Sequence, residues 1–204
     1  MLAVVPTDKL YWYMARAGGL TSWWLVAVAV FWGLMLSTRV TRGKATPAWL
    51  LDLHRFLGGL SIVFVAIHVA GLMGDKWLHL SPKEVLVPMA ARFKPAALAW
   101  GVIGMYLMVA IEVTSFLMAK IPRRLWRTVH SSAFFLFLLA TVHAFAAGSE
   151  AKNVAVQWTA MAFATTFTFL MVYRALIPKR GRLLRGEMPP EGVGIAGTPA
   201  AATS

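Results

Sequence analysis

The chain has no cysteine. That excludes disulfides, iron–sulfur clusters, thioether-linked heme and thiolate ligation of any metal. Acidic residues are scarce as well: eight Asp and Glu stand against twenty Lys and Arg, for a formal net charge of +12 over 204 residues. Charged residues of both signs make up only 14% of the chain, where a soluble domain carries about 25%. No repeat occurs at solenoid periods, and no G-x-G-x-x-G follows a strand-like run, so the sequence offers no flavin or nicotinamide module. With cysteine absent, histidine is the obvious transition-metal ligand.

What is present is apolar. Hydrophobic residues make up 59% of the chain and the mean hydropathy is +0.67. A bilayer core needs about 20 mostly apolar residues per helix. Five stretches qualify: Gly18–Thr38, Trp49–Met73, Ala96–Met118, Leu125–Ala147 and Val154–Ile177. The expected fold is therefore all-α, a polytopic membrane helix bundle of five transmembrane helices over 1–178. A basic, then Gly/Pro/Ala-rich tail follows over 179–204 and is expected to be disordered. No small-residue cleavage site follows the first apolar run, so that run reads as a span and not a signal peptide.

The positive charge is unevenly placed. Linker 39–47 carries Arg39, Arg42 and Lys44; linker 120–124 carries Lys120, Arg123 and Arg124; the tail carries Lys179, Arg180, Arg182 and Arg185. The positive-inside rule puts these in the cytoplasm and the N-terminus outside, in a plasma or inner membrane. Charge clustered at span ends reads as topology and headgroup contact, and no nucleic acid is expected as a partner. Tryptophans fall where interface anchors belong: Trp49 and Trp126 at inner ends, Trp23, Trp24, Trp100 and Trp158 at outer ones.

Ionisable side chains inside membrane-length helices are costly and mark function. The second span holds His54 and His68, and the fourth holds His130 and His143. Both spans start on the same side, so they run parallel, and a rise of 1.5 Å per residue separates the members of each pair by about 20 Å. His54 therefore matches His130 in depth near the inner face, and His68 matches His143 near the outer face. Two such pairs can ligate two stacked b-type hemes, each iron six-coordinate and suited to electron transfer. The angular test is uneven. Fourteen residues bring His68 nearly back over His54, but thirteen leave His143 about 140° from His130 on an ideal helix. A kink, bulge or tilt is needed in the fourth span. His79, the fifth histidine, has no partner at ligand spacing and reads as a surface residue of the loop 74–95, itself read as a short interfacial segment.

Other residues have candidate roles. Arg55 and Arg127 can hold the propionates of an inner heme and Arg16 those of an outer one. Arg55 can alternatively pair with Glu112, which lies at similar depth in the third span. Gly58 and Gly71, about one turn beyond His54 and His68, either admit a porphyrin or pack helices closely.

The four histidines with their spacings, LDLHRFLGG and RTVHSSAF, and the opening YWYMARAGGLTSWWLVAVAVFWGLMLSTR resemble the ferric reductase-like transmembrane domain family over about residues 10–178. That family includes ferric reductases, NADPH oxidases and the heme-binding subunit of a bacterial methionine sulfoxide reductase. The resemblance implies a bis-heme b core, with His54, His68, His130 and His143 as axial ligands. It implies electron transfer from a cytoplasmic reductant to an outer acceptor. Many members have six spans and the larger ones continue into a flavin and nicotinamide module. Here a separate donor is expected, a flavoprotein, ferredoxin or quinol. The alternative is a heme-bearing anchor or relay subunit of a partner reductase, in a homo- or hetero-oligomer.

Overall fold

The computed structural model describes residues 7–38 and 48–176. The basic linker 39–47 and the tail from 179 lie outside the described residues. Among the described residues the chain is all helical: α1 Thr7–Thr38, α2 Ala48–Gly74, α3 Pro82–Leu86, α4 Pro95–Phe116, α5 Arg123–Ser131, α6 Ala133–Ala147 and α7 Val154–Leu176, with a 3-10 turn over Ser149–Lys152. Five helical segments are long and apolar enough to cross a membrane: Lys9–Ser37, Ala48–Gly74, Pro95–Phe116, Arg123–Ala147 and Val154–Tyr173. The protein is a multi-pass membrane protein whose spans contact lipid. Large apolar side chains such as Phe56, Phe116 and Trp158 accordingly stand exposed, as lipid-facing residues do. Compact packing divides the chain into Met1–Phe167 and Thr168–Ser204, and every candidate site residue lies in the first unit.

Lipid tails are as apolar as leucine, so membrane helices associate through close packing and interhelical hydrogen bonds. The α1–α2 pair shows how. A Cβ on Gly71 would stand 2.5 Å from the backbone nitrogen of Ala15, and one on Gly18 would stand 2.9 Å from that of His68. These glycines let two antiparallel backbones touch. The pair Gly18–Gly19 is therefore an interior notch and not the expected start of the span: α1 begins at Thr7, and the helical cost of two glycines is met by the contacts they permit.

Trp23 departs from its expected interface position. It is 4% exposed, its Nε1–H donates to Thr141 Oγ1 at 3.0 Å, and Phe137 and Phe163 pack against its ring at 6.4 and 6.0 Å. It ties α1 to α6 and α7, a hydrogen-bonded position buried Trp favours.

The fourth span is broken, as the thirteen-residue spacing requires. α5 ends at Ser131 and α6 starts at Ala133. Ser131 Oγ donates to Thr128 O at 2.9 Å and Ser132 Oγ to Val129 O at 2.5 Å, while the Ser132 N–H bonds Val129 O at 3.1 Å. Serine back-bonding of this kind tightens and bends a helix.

The loop 74–95 is built and not merely interfacial. Asp75 Oδ1 accepts the N–H groups of Trp77 and Leu78 at 2.9 and 2.8 Å. Ser81 and Glu84 form a capping box on α3. Leu80, Val85, Ala91 and Leu98 bury against Val69, Leu72 and Ala147, which fixes the loop over the ends of α2, α4 and α6. His79 is exposed within it, in a left-handed conformation at φ 39°, in agreement with its reading as a surface residue.

Candidate heme-ligand site

α2 and the α5–α6 segment run parallel and present their histidines in two pairs. The His54 and His130 ring centroids lie 5.8 Å apart with planes at 76°. Those of His68 and His143 lie 6.3 Å apart at 81°. The depth matching expected from the sequence is the pairing the structure makes.

Each histidine uses Nδ1 for a bond to a neighbouring helix. His54 Nδ1 lies 3.1 Å from Ala29 O, His68 Nδ1 lies 2.5 Å from Ala15 O, and His143 Nδ1 lies 2.8 Å from Ala97 O. A carbonyl oxygen only accepts, so these three nitrogens carry the proton and donate. The lone pair of each imidazole is thereby assigned to Nε2, the arrangement of metal-ligating histidines with a second bond to the protein. His130 differs: its Nδ1 lies 3.3 Å from the Ser115 hydroxyl, and Trp126 stacks on its ring at 5.0 Å and 22°.

Glycines make room for three of these rings. A Cβ on Gly101 would stand 2.6 Å from His143 Cε1, one on Gly19 would stand 2.8 Å from His68 Nδ1, and one on Gly33 would stand 3.2 Å from His54 Cε1. Gly58 and Gly71 serve otherwise. Gly58 lies under the Glu112 carboxylate and Gly71 packs backbone against backbone. None of Ala15, Ala29, Ala97, Gly19, Gly33, Gly101, Ser115 or Trp126 stands out in the sequence as a site residue. The available signal is arithmetic: Ala15 and Ala29, Gly19 and Gly33, and His54 and His68 are each fourteen residues apart.

A cavity of about 490 Å³ adjoins the second pair, and His68, His143, Arg16, Gly19, Gly101 and Met108 are among its lining residues. Its size falls in the range of ordinary ligand sites. Arg16 forms an ion pair with Glu150 and its guanidinium sits 4.9 Å over the Trp12 ring. Arg55 pairs with Asp52 at 3.7 Å and not with Glu112, because its side chain follows its own helix toward the i−3 position and points to solvent. Arg127 is exposed, three residues before His130. Trp126 Nε1 is buried with no hydrogen-bond partner. Among the described residues no three His, Cys, Asp or Glu stand together as a metal-binding group.

A family model described as ferric reductase like transmembrane component matches residues 17–141, more than half of the chain. The match takes in His54, His68 and His130 and ends two residues before His143. No curated protein and no solved structure matches the chain.

Proposed function

Since the chain belongs to the ferric reductase-like transmembrane component family, known for heme binding, we propose that it carries electrons across the bilayer through two b-type hemes, one at each histidine pair. The supporting observation is the two facing imidazole pairs, His54 with His130 and His68 with His143, at ring separations of 5.8 and 6.3 Å. Two metal–nitrogen bonds of about 2 Å each, plus the setback of each nitrogen from its ring centre, span roughly 6 Å. Each level offers two nitrogens, so a metal bound there must bring its other donors with it, as the iron of a porphyrin does. The apolar cavity at the second pair and the unpartnered Trp126 N–H fit such a group.

Bound heme supplies reversible one-electron chemistry at iron. The chain's residues hold and insulate it. His54 and His130 would ligate at the inner level, His68 and His143 at the outer. With two histidines holding the group at each level, no small molecule would reach the metal, which would favour relay over oxygen activation. Arg16, in the cavity wall, would bind propionate at the outer level, whereas Arg55, now turned to Asp52, and Arg127, now exposed, would bind it at the inner level only by swinging inward. The C-terminus is cytoplasmic in this reading. A separate flavoprotein, ferredoxin or quinol delivers electrons at the inner face, and an outer acceptor receives them.

The test is vectorial. Heme-loaded protein in liposomes with ferricyanide trapped inside should reduce it when an impermeant reductant is supplied outside, and both His54→Ala and His68→Ala should abolish that flux. Reduction no faster than in protein-free vesicles would contradict the proposal.

A further inference from the structure

Three of the four histidines dock on the same local pattern in a neighbouring helix. His68 faces Ala15 O and Gly19, His54 faces Ala29 O and Gly33, and His143 faces Ala97 O and Gly101. Each is Ala-x-x-x-Gly, occurring twice in α1 and once in α4. The geometry of a helix explains why. The carbonyl of residue i points toward residue i+4, and side chains lean toward the N-terminus, so the side chain at i+4 lies over that carbonyl. Glycine at i+4 uncovers it. A carbonyl oxygen has two lone pairs, so it can keep its helical bond and accept a second donor from outside.

We infer that Gly19, Gly33 and Gly101 are positioning residues that set the tautomer, orientation and donor strength of His68, His54 and His143 by opening the carbonyls of Ala15, Ala29 and Ala97. This rests on the heme reading above. The match in spacing is its independent support. His68 with Gly19 and His54 with Gly33 obey one antiparallel register between α1 and α2, and α4 reproduces the device for His143 with no sequence continuity to α1. His130 lacks it and uses a serine hydroxyl at 3.3 Å instead. A bond from Nδ1–H to a carbonyl raises the basicity of the ligating nitrogen and so favours the ferric state. Displacing the ring from its carbonyl should move that heme's potential in the positive direction.

Space decides the order of effect. Alanine at 101 puts Cβ 2.6 Å from the His143 ring, at 19 it is 2.8 Å from the His68 ring, and at 33 it is 3.2 Å from the His54 ring. Gly59 is the control, because it is exposed and a Cβ there meets nothing within 4 Å. The experiment uses full-length, heme-loaded protein in detergent, read by redox titration and by low-temperature EPR of the ferric state. Gly101→Ala and Gly19→Ala should shift the potential and the EPR signal of the same heme and leave the other unchanged. Gly33→Ala should shift the other heme, by less, and Gly59→Ala neither. Should Gly101→Ala fail to assemble, the milder Gly33→Ala decides. Variants with both hemes at wild-type potentials and signals, or a Gly59→Ala shift equal to the rest, would overturn the inference and leave the electron-transfer reading standing. A wild-type chain that takes up no heme would overturn both.

Discussion

The carbonyl oxygen of Ala15 lies 2.5 Å from Nδ1 of His68, fifty-three residues further along the chain. That contact crosses from α1 to α2 and assigns the lone pair to Nε2 of a ring whose centre lies 6.3 Å from that of His143. Local helix geometry at Gly19, close packing of α1 on α2 at Gly71, and the electronic state of a candidate ligand meet in this one bond.

The ring pairing predicts how hemes are lost. His54→Ala and His130→Ala should each remove the same heme and spare the other, and His68→Ala and His143→Ala should remove the second. Heme per chain and the difference spectrum of each purified variant check this. If His54→Ala and His130→Ala removed different hemes, the pairing would be wrong.

Trp126→Phe is expected to act in opposite directions in heme-free and heme-loaded protein. Its buried N–H has no partner, and removing an unsatisfied polar group is neutral or stabilising. Trp126→Phe should leave the thermal stability of heme-free protein unchanged or raised, yet weaken heme retention at His54 and His130 if the indole donates to the bound group. Thermal melts with and without heme distinguish the two.

Trp23→Phe keeps the aromatic packing but deletes the bond to Thr141. A loss of about 1 kcal/mol is expected for one buried hydrogen bond, read as a lower melting temperature in detergent with the heme content retained. An unchanged melting temperature would show that the bond contributes nothing to holding α1 on α6.

Glu84 gives the loop 74–95 a pH dependence. Its carboxylate accepts the Ser81 N–H and hydroxyl and the Arg92 N–H. The Ser81 backbone bond leads in holding its pKa below the usual carboxylate value. A lowered folded-state pKa gives stability that is present above the ordinary value and fades as pH falls through the lowered one. Hydrogen-exchange protection at Ser81 and Arg92, taken relative to the intrinsic rate at each pH, should therefore fall on acidification. Glu84→Gln should lower that protection at neutral pH and flatten its dependence on pH.

The spans and the depth of the histidines were legible because periodic apolar length and helical rise depend only on local sequence. The break at Ser132 was legible as a requirement, since thirteen residues cannot aim His130 and His143 alike, although its cause in Ser131 and Ser132 became visible only with the carbonyls they bind. The Ala-x-x-x-Gly cradles were not legible, because alanine and glycine abound in membrane helices and acquire meaning only when a histidine on another helix is placed against them. Trp23 misled for a related reason. An aromatic near a span end looks the same whether it faces headgroups or a threonine on α6.

Heme content with a reduced-minus-oxidised spectrum, taken on protein purified in detergent after expression with ample heme, is the direct test of the two-level site. Two hemes per chain with a bis-histidine b-type spectrum is the expected result. A heme-free protein that is otherwise folded would contradict the electron-transfer reading.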